Sequence, residues 1–454
     1  MVQENKLAEK NLNRLMLEMA IPSIVAQIIN VLYNIVDRIY IGHIPGIGAD
    51  ALTGVGVTFP IITLISAFSA FVGTGGAPLS SIWLGKGERK KAEKILGNGV
   101  SLLLIFAVIL MAFFYIFEEP VLYLFGASEA TYQYASSYIR IYLVGTVFVE
   151  LALGLNAYII SQGFSTTAML SVLIGAVTNI ILDPILIYLL GLGVAGAGIA
   201  TVISQALSCI WVVSFLSANK KAVIRIKLSC MKPDFEIVKG ICSLGISPFV
   251  MRSTESLVTI VMNHQLAVYG GDLYIGTLTI LQSILQLITT PLNGFTQGVQ
   301  PIISYNFGAG NFARVKQCVK RMLGVTTVFS AVTTLVVIVF PEIFARMFTV
   351  DVQTITLVCK VMPVFMFGML FFGIQMGIQP AFLALGQAKI SLFIALLRKV
   401  ILLVPLAILF SKCFGAMGVF YAEPTSDFIS AFTAAILFAG HINKILSKET
   451  LEKI

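Results

Sequence analysis

The sequence predicts an all-α integral membrane protein, twelve transmembrane helices arranged as two parallel-repeat six-helix lobes around a central cleft. Three observations predict it. Of the 454 residues 57% are hydrophobic and 11% charged, with a mean hydropathy of +0.94, whereas soluble domains carry about 25% charged residues. Apolar runs approaching or exceeding the roughly 20 helical residues that cross a hydrocarbon core recur at 15–41, 52–79, 95–117, 132–157, 167–190, 194–217, 239–267, 274–305, 317–341, 352–380, 388–410 and 416–440. The first half also repeats in the second at a shift of 223 residues: LGKGERKKAEKILG (Leu84 to Gly97) lies on FGAGNFARVKQCVK (Phe307 to Lys320), and Phe125, Gly145 and Gly163 lie on Phe348, Gly368 and Gly386.

Six spans per copy make the second copy enter the membrane from the same side as the first, so the repeats are parallel, related by an axis along the membrane normal. Residues 1–217 are expected to form the N-terminal lobe, 218–238 a cytoplasmic linker and 239–454 the C-terminal lobe. The polar lead into the first span has no short apolar core followed by a small-residue cleavage site, so no cleaved signal peptide is expected. Of the 30 Lys and Arg residues, 22 fall on the side of the two termini, and only Arg346 and Lys412 lie in the opposite loops. That asymmetry predicts cytoplasmic termini in a multi-pass membrane protein.

The net charge of +8 sits in loops between spans, above all at Lys86 to Lys94 and Arg314 to Arg321. This points to membrane lipid headgroups as partners and not to nucleic acid. The six cysteines show no metal-binding or paired spacing and read as free thiols. Gly85-Lys86-Gly87 and Gly308-Ala309-Gly310 lack the strand and the GKS or GKT of a phosphate loop, and no nucleophile constellation is present. No enzyme activity and no cofactor are expected; uphill transport would draw on an ion gradient. The chain is expected to act as a monomer.

Charges at membrane depth carry the functional reading, because a charged side chain at the middle of a membrane helix costs about 2.5–3.5 kcal/mol on insertion scales. In SVLIGAVTNIILDPILIY (Ser171 to Tyr188), Asn179 and Asp183 stand at i and i+4, on one face. Pro184 removes the amide hydrogen that would bond the Ile180 carbonyl and is expected to kink the helix. Asp37 lies in the outer part of span 1, and Thr201 about two turns into span 6, at depths that let all four meet in the outer half of the first lobe. Their oxygens suit a hard cation such as sodium, and a carboxylate alone suffices for a proton. The plainer alternative has Asp183 paired with a neighbouring hydroxyl and Asp37 paired with Arg38.

In the second half, Glu255 follows Arg252 by three residues, which suggests an internal ion pair. Arg398, Glu423 and Asp427 are also at membrane depth, and two acids against one arginine leave a negative charge that could attract a cationic substrate. Met366 belongs to a Met- and Phe-rich helix able to line an adaptable drug cavity, although packing between helices is the commoner role of such residues. Arg140 and Glu150 read equally well as structural.

Together, YNIVDRIYIGHI (Tyr33 to Ile44), NIILDPILIY (Asn179 to Tyr188), the two glycine-bearing loops with their basic helices, and GVFYAEPTSD (Gly418 to Asp427) resemble the multidrug and toxic compound extrusion (MATE) transporters, in particular their bacterial MepA-like subgroup. The resemblance spans the whole chain. It implies a two-lobed, proton- or sodium-coupled antiporter exporting lipophilic, often cationic drugs by alternating access, with Asp37, Asn179 and Asp183 in a cation site of the N-terminal lobe. Members of the family also often place a functional acidic residue in the second lobe, where Glu255 is the candidate. Two other functions are compatible with the sequence. A flippase for lipid-linked precursors would share the repeats but calls for a strongly cationic cleft. A channel or receptor would show no uphill transport.

Overall fold

The computed structural model describes residues 4–452. Twelve long helices are labelled here as spans: α1 Leu12–Gly42, α2 Gly48–Gly85, α3 Arg89–Ile116, α4 Glu129–Val144 continued by Thr146–Ser161, α5 Ser165–Leu189, α6 Gly193–Ala218, α7 Phe235–Tyr269, α8 Asp272–Gly308, α9 Phe312–Val339, α10 Val352–Phe367 continued by Met369–Ala384, α11 Ala388–Phe414 and α12 Ala416–Ile445. Among the described residues nine of these are long and apolar enough singly to cross a membrane, and the two bent pairs qualify as one span each. The twelfth, α7, has the length, but Arg252, Glu255, Asn263, His264 and Gln265 interrupt its apolar character. Large apolar side chains such as Ile109, Val328 and Phe432 are exposed on the helix exteriors, the surface that lipid solvates in place of water.

The chain divides into two compact units, one ending at Phe249 and the other starting at Val250, so the break falls within α7. The first unit packs Ile61, Ile65, Leu110, Ile139, Tyr142 and Ile187 in its core. The second packs Met262, Leu281, Met362, Phe365, Met366 and Phe420.

The repeat is visible inside each unit. The Ser81 hydroxyl donates to the Ser161 carbonyl oxygen at 2.9 Å, and the Ser304 hydroxyl to the Ala384 carbonyl oxygen at 2.9 Å, two bonds related by the same 223-residue shift. Gly87 and Gly310 both take positive φ, +80° and +73°, where the preceding helix turns into the next, a conformation open to glycine at no steric cost.

The bends obey the same register. Span α4 breaks by 60° at Gly145 and α10 by 43° at Gly368, where the sequence predicts continuous helices. Each glycine allows a close helix approach: a Cβ at Gly145 would sit 2.6 Å from the Val202 side chain, and one at Gly368 2.6 Å from the Pro424 Cα. Small residues at such crossings are how membrane helices pack without a hydrophobic driving force.

Pro184 has a different effect from the kink its sequence predicts. The helix continues beyond it as a π turn, Ile185–Leu189, with the Leu190 amide donating to the Ile185 carbonyl oxygen at 2.9 Å. A wider turn absorbs the missing amide hydrogen without ending the helix, as single π turns often do at functional positions. A second π segment, Leu397–Leu403, interrupts α11.

The polar segment between α6 and α7 is bonded to the first unit. The Gln162 side-chain oxygen accepts from the Val223 and Ile224 amides at 2.8 and 3.0 Å. The Asn98 side-chain oxygen accepts from the Asp234 amide at 2.7 Å, and the Ser101 hydroxyl donates to the Met231 carbonyl oxygen at 2.6 Å. Gln162 is 1% exposed, so its loss strands two amides at a cost of about 1–3 kcal/mol. Gln162→Ala should speed tryptic cleavage at Lys220, Lys221 and Arg225 at least severalfold, read by limited proteolysis of the purified protein; an unchanged rate would show that this anchor does not hold the segment.

Candidate cation site and its second-lobe counterpart

Three of the four first-lobe candidates are buried side chains of α5 and α6: Asn179 is 1% exposed, Asp183 0% and Thr201 8%. Span α1 packs along α5 and brings Asp37 to them. The Asn179 amide donates to Asp183 Oδ1 at 3.3 Å, one helical turn along the same face. The Asp37 and Asp183 carboxylates are neighbours. Thr201 meets Tyr138 of α4, hydroxyl to hydroxyl, at 3.4 Å.

Three oxygen-bearing side chains from two helices are grouped in this way, and three of their oxygens, Asp37 Oδ1, Asp183 Oδ2 and Asn179 Oδ1, are buried with no hydrogen-bond donor; Thr201 shares with Asn179 the lining of one cavity. Arg38 places its guanidinium over the Phe59 ring, 5.0 Å from its centroid. Alongside lies a small cavity lined by Asn30, Tyr33, Asn156, Asn179, Thr201 and Ser204 among others. The donor set is hard oxygen throughout, two carboxylates with neutral oxygens; among the described residues no group of three or more His, Cys, Asp or Glu could hold a metal ion. A sodium ion or a proton fits this chemistry. Tyr138 carries no functional marker in the sequence; its only local signal is an aromatic hydroxyl inside an amphipathic helix.

Two other acids of the first unit have different surroundings. Glu118 pairs with Arg140 at 2.6 Å, a contact whose arginine side chain is 57% exposed. Glu150 is fully buried beside Ser69, and neither of its carboxylate oxygens has a hydrogen-bond partner.

The second-lobe candidates form a network. Arg398 Nε donates to Asp427 Oδ1 at 2.6 Å, its Nη2 donates to Glu423 Oε1 at 3.0 Å, and the guanidinium lies 4.0 Å from the centroid of the Phe372 ring. The Ser426 hydroxyl donates to the Arg398 carbonyl oxygen at 2.6 Å. Glu255 departs from expectation: its carboxylate is taken by Lys399 Nζ, at 2.9 Å, where the sequence points to Arg252. Arg398 and Lys399 are adjacent in sequence, and the π segment that holds both buries both. Lys399 is a second buried cation of this network, but Glu255 takes it, so Glu423 and Asp427 still face a single arginine. Met366 is fully buried in the apolar core of the second unit, which is the packing role open to a methionine at that position.

Residues 22–185 and 249–409 match the family model described as MatE, one match in each half. The chain belongs to the MatE family. Among the MatE protein's relatives, a multidrug export protein MepA of Staphylococcus haemolyticus (strain JCSC1435) is 26% identical over 96% of this chain and 95% of its own. MepA of Staphylococcus saprophyticus is 26% identical over 93% of this chain and 92% of its own. A crystal structure of MATE in the bent conformation superposes with a TM-score of 0.92, covering 99% of each chain at 21% identity. That likeness establishes the twelve-helix fold of the MatE protein.

Proposed function

We propose that this MatE protein is a secondary antiporter of a bacterial plasma membrane that exports lipophilic, often cationic compounds in exchange for protons or sodium ions. The observation that carries the proposal is the Asp37–Asp183 carboxylate pair: Asp183 is buried with Asn179, Asp37 is half-buried, and Asp37 Oδ1 and Asp183 Oδ2 have no hydrogen-bond donor. Two ionised carboxylates 4 Å apart repel by about 4 kcal/mol at an effective dielectric constant of 20. A proton or a metal cation between them relieves that repulsion, so occupancy of the site is coupled to the state of the protein. The names of the MepA relatives, multidrug export proteins, support drugs and organic cations as substrates. Hydrogen-bonding oxygens from Asn179 and Thr201 support sodium as strongly as the carboxylates support a proton. The glycine-supported bends of α4 and α10 and the π turn after Pro184 are the places where helices of each lobe can change shape during alternating access.

Efflux of a fluorescent lipophilic cation from proteoliposomes under imposed sodium or pH gradients tests the proposal. One gradient alone should drive export against the substrate gradient, and that gradient names the coupling ion. Failure of both gradients across several such cations would remove drug antiport and favour lipid translocation, which has its own vesicle assay.

A further inference from the structure

The 223-residue register, fixed by the paired serine bonds and the paired bends at Gly145 and Gly368, allows the two lobes to be read position by position. Five residues that line the first-lobe cavity, Ala152, Asn156, Gly175, Ala176 and Ser204, correspond to Gln375, Gln379, Arg398, Lys399 and Asp427. Small or neutral side chains border open space in one lobe; in the other, longer ones stand at the same positions, and three of the five are charged. Gly175, with no side chain, becomes Arg398, whose guanidinium reaches Asp427, Glu423 and the face of Phe372.

We infer that Arg398 is a tethered cation: it fills the second lobe's counterpart of the first-lobe cavity and closes the Glu423–Asp427 carboxylate pair to free cations. Several features of the site support this. Arg398, Glu423 and Asp427 are 8%, 8% and 0% exposed, so the pair is held away from competing water. Asp427 Oδ2 is buried and has no hydrogen-bond partner, leaving acceptor capacity beyond what the arginine uses. A planar guanidinium forked between two carboxylates and stacked on an aromatic ring is the arrangement in which arginine outperforms a hydrated ion. Lys399 and Glu255 neutralise each other alongside, at 2.9 Å. The consequence is functional asymmetry: exchangeable cations act through the first lobe, and the second lobe carries its counter-charge permanently.

Chemical rescue tests the inference. Arg398→Ala should vacate the site and expose both carboxylates, giving a lower melting temperature in detergent. Guanidinium chloride at low millimolar concentration, far below denaturing levels, should restore several degrees saturably. The parent protein should not respond, and the rescue should disappear in Arg398→Ala combined with Asp427→Asn. Arg398→Gln, which keeps more of the side-chain volume, provides a second background and should gain a smaller guanidinium response.

No response to guanidinium in either variant, a response that survives the Asp427→Asn change, or an Arg398→Ala chain that cannot be recovered folded even with guanidinium present would each overturn the inference. Because the readout is thermal stability and not transport, this result and the antiport assay fail independently.

Discussion

Asp183→Asn is expected to abolish gradient-driven efflux while leaving the melting temperature within a few degrees of the parent. Asparagine keeps the size of the side chain and can still accept from the Asn179 amide, which now donates to Asp183 Oδ1 at 3.3 Å. What disappears is one of the two charges of the proposed cation site. A carboxylate at about 4 Å contributes on the order of 4 kcal/mol at an effective dielectric constant of 20, equivalent to about a thousandfold in affinity. A site weakened by that factor stays empty at ordinary ion concentrations, and export loses its coupling. Proteoliposome efflux under the driving gradient, alongside downhill equilibration of the same substrate, separates lost coupling from lost binding of substrate. If the variant exports as well as the parent under the same gradient, the first-lobe site is not the coupling site, and buried Glu150 becomes the next acid to substitute.

Asp427→Ala should be strongly destabilising, by about 3–5 kcal/mol, because removing one partner leaves a buried charge incompletely compensated. Arg398 would keep Glu423 at 3.0 Å but lose its 2.6 Å contact, with no water to replace it. Glu255→Ala is the control. Its carboxylate also binds a buried cation, Lys399, but its own side chain is 69% exposed, so solvent can take over and the cost should be about 1 kcal/mol or less. Thermal melts and yields of folded protein for the two variants should therefore differ clearly. Equal losses would mean that the Arg398 network is more accessible to water than its burial indicates.

Much of the candidate site is legible in the sequence because it is local. Asn179 and Asp183 share a face by helical periodicity alone, and the cost of placing an acid in an apolar span marks Asp183 whatever surrounds it. Depth along the helices is what groups Asp37 and Thr201 with them in the sequence. The contact between Tyr138 and Thr201 was not legible, since a tyrosine in a half-polar helix carries no marker of the neighbour it will face. For Glu255, sequence spacing favours Arg252 three residues away; Lys399, 144 residues distant, bonds its carboxylate.

The sequence by itself determined the number and order of the spans, the parallel repeat and the residues that bring charge into the membrane, because length, hydropathy and periodicity are properties of each segment alone. The tertiary structure decided where spans bend, how the chain passes Pro184 and which cation meets which acid. Those outcomes depend on the rotation of one helix against another, and that rotation is set by how closely backbones approach at positions such as Gly145 and Gly368. The same packing decides that one lobe keeps a polar cavity where the other holds an arginine.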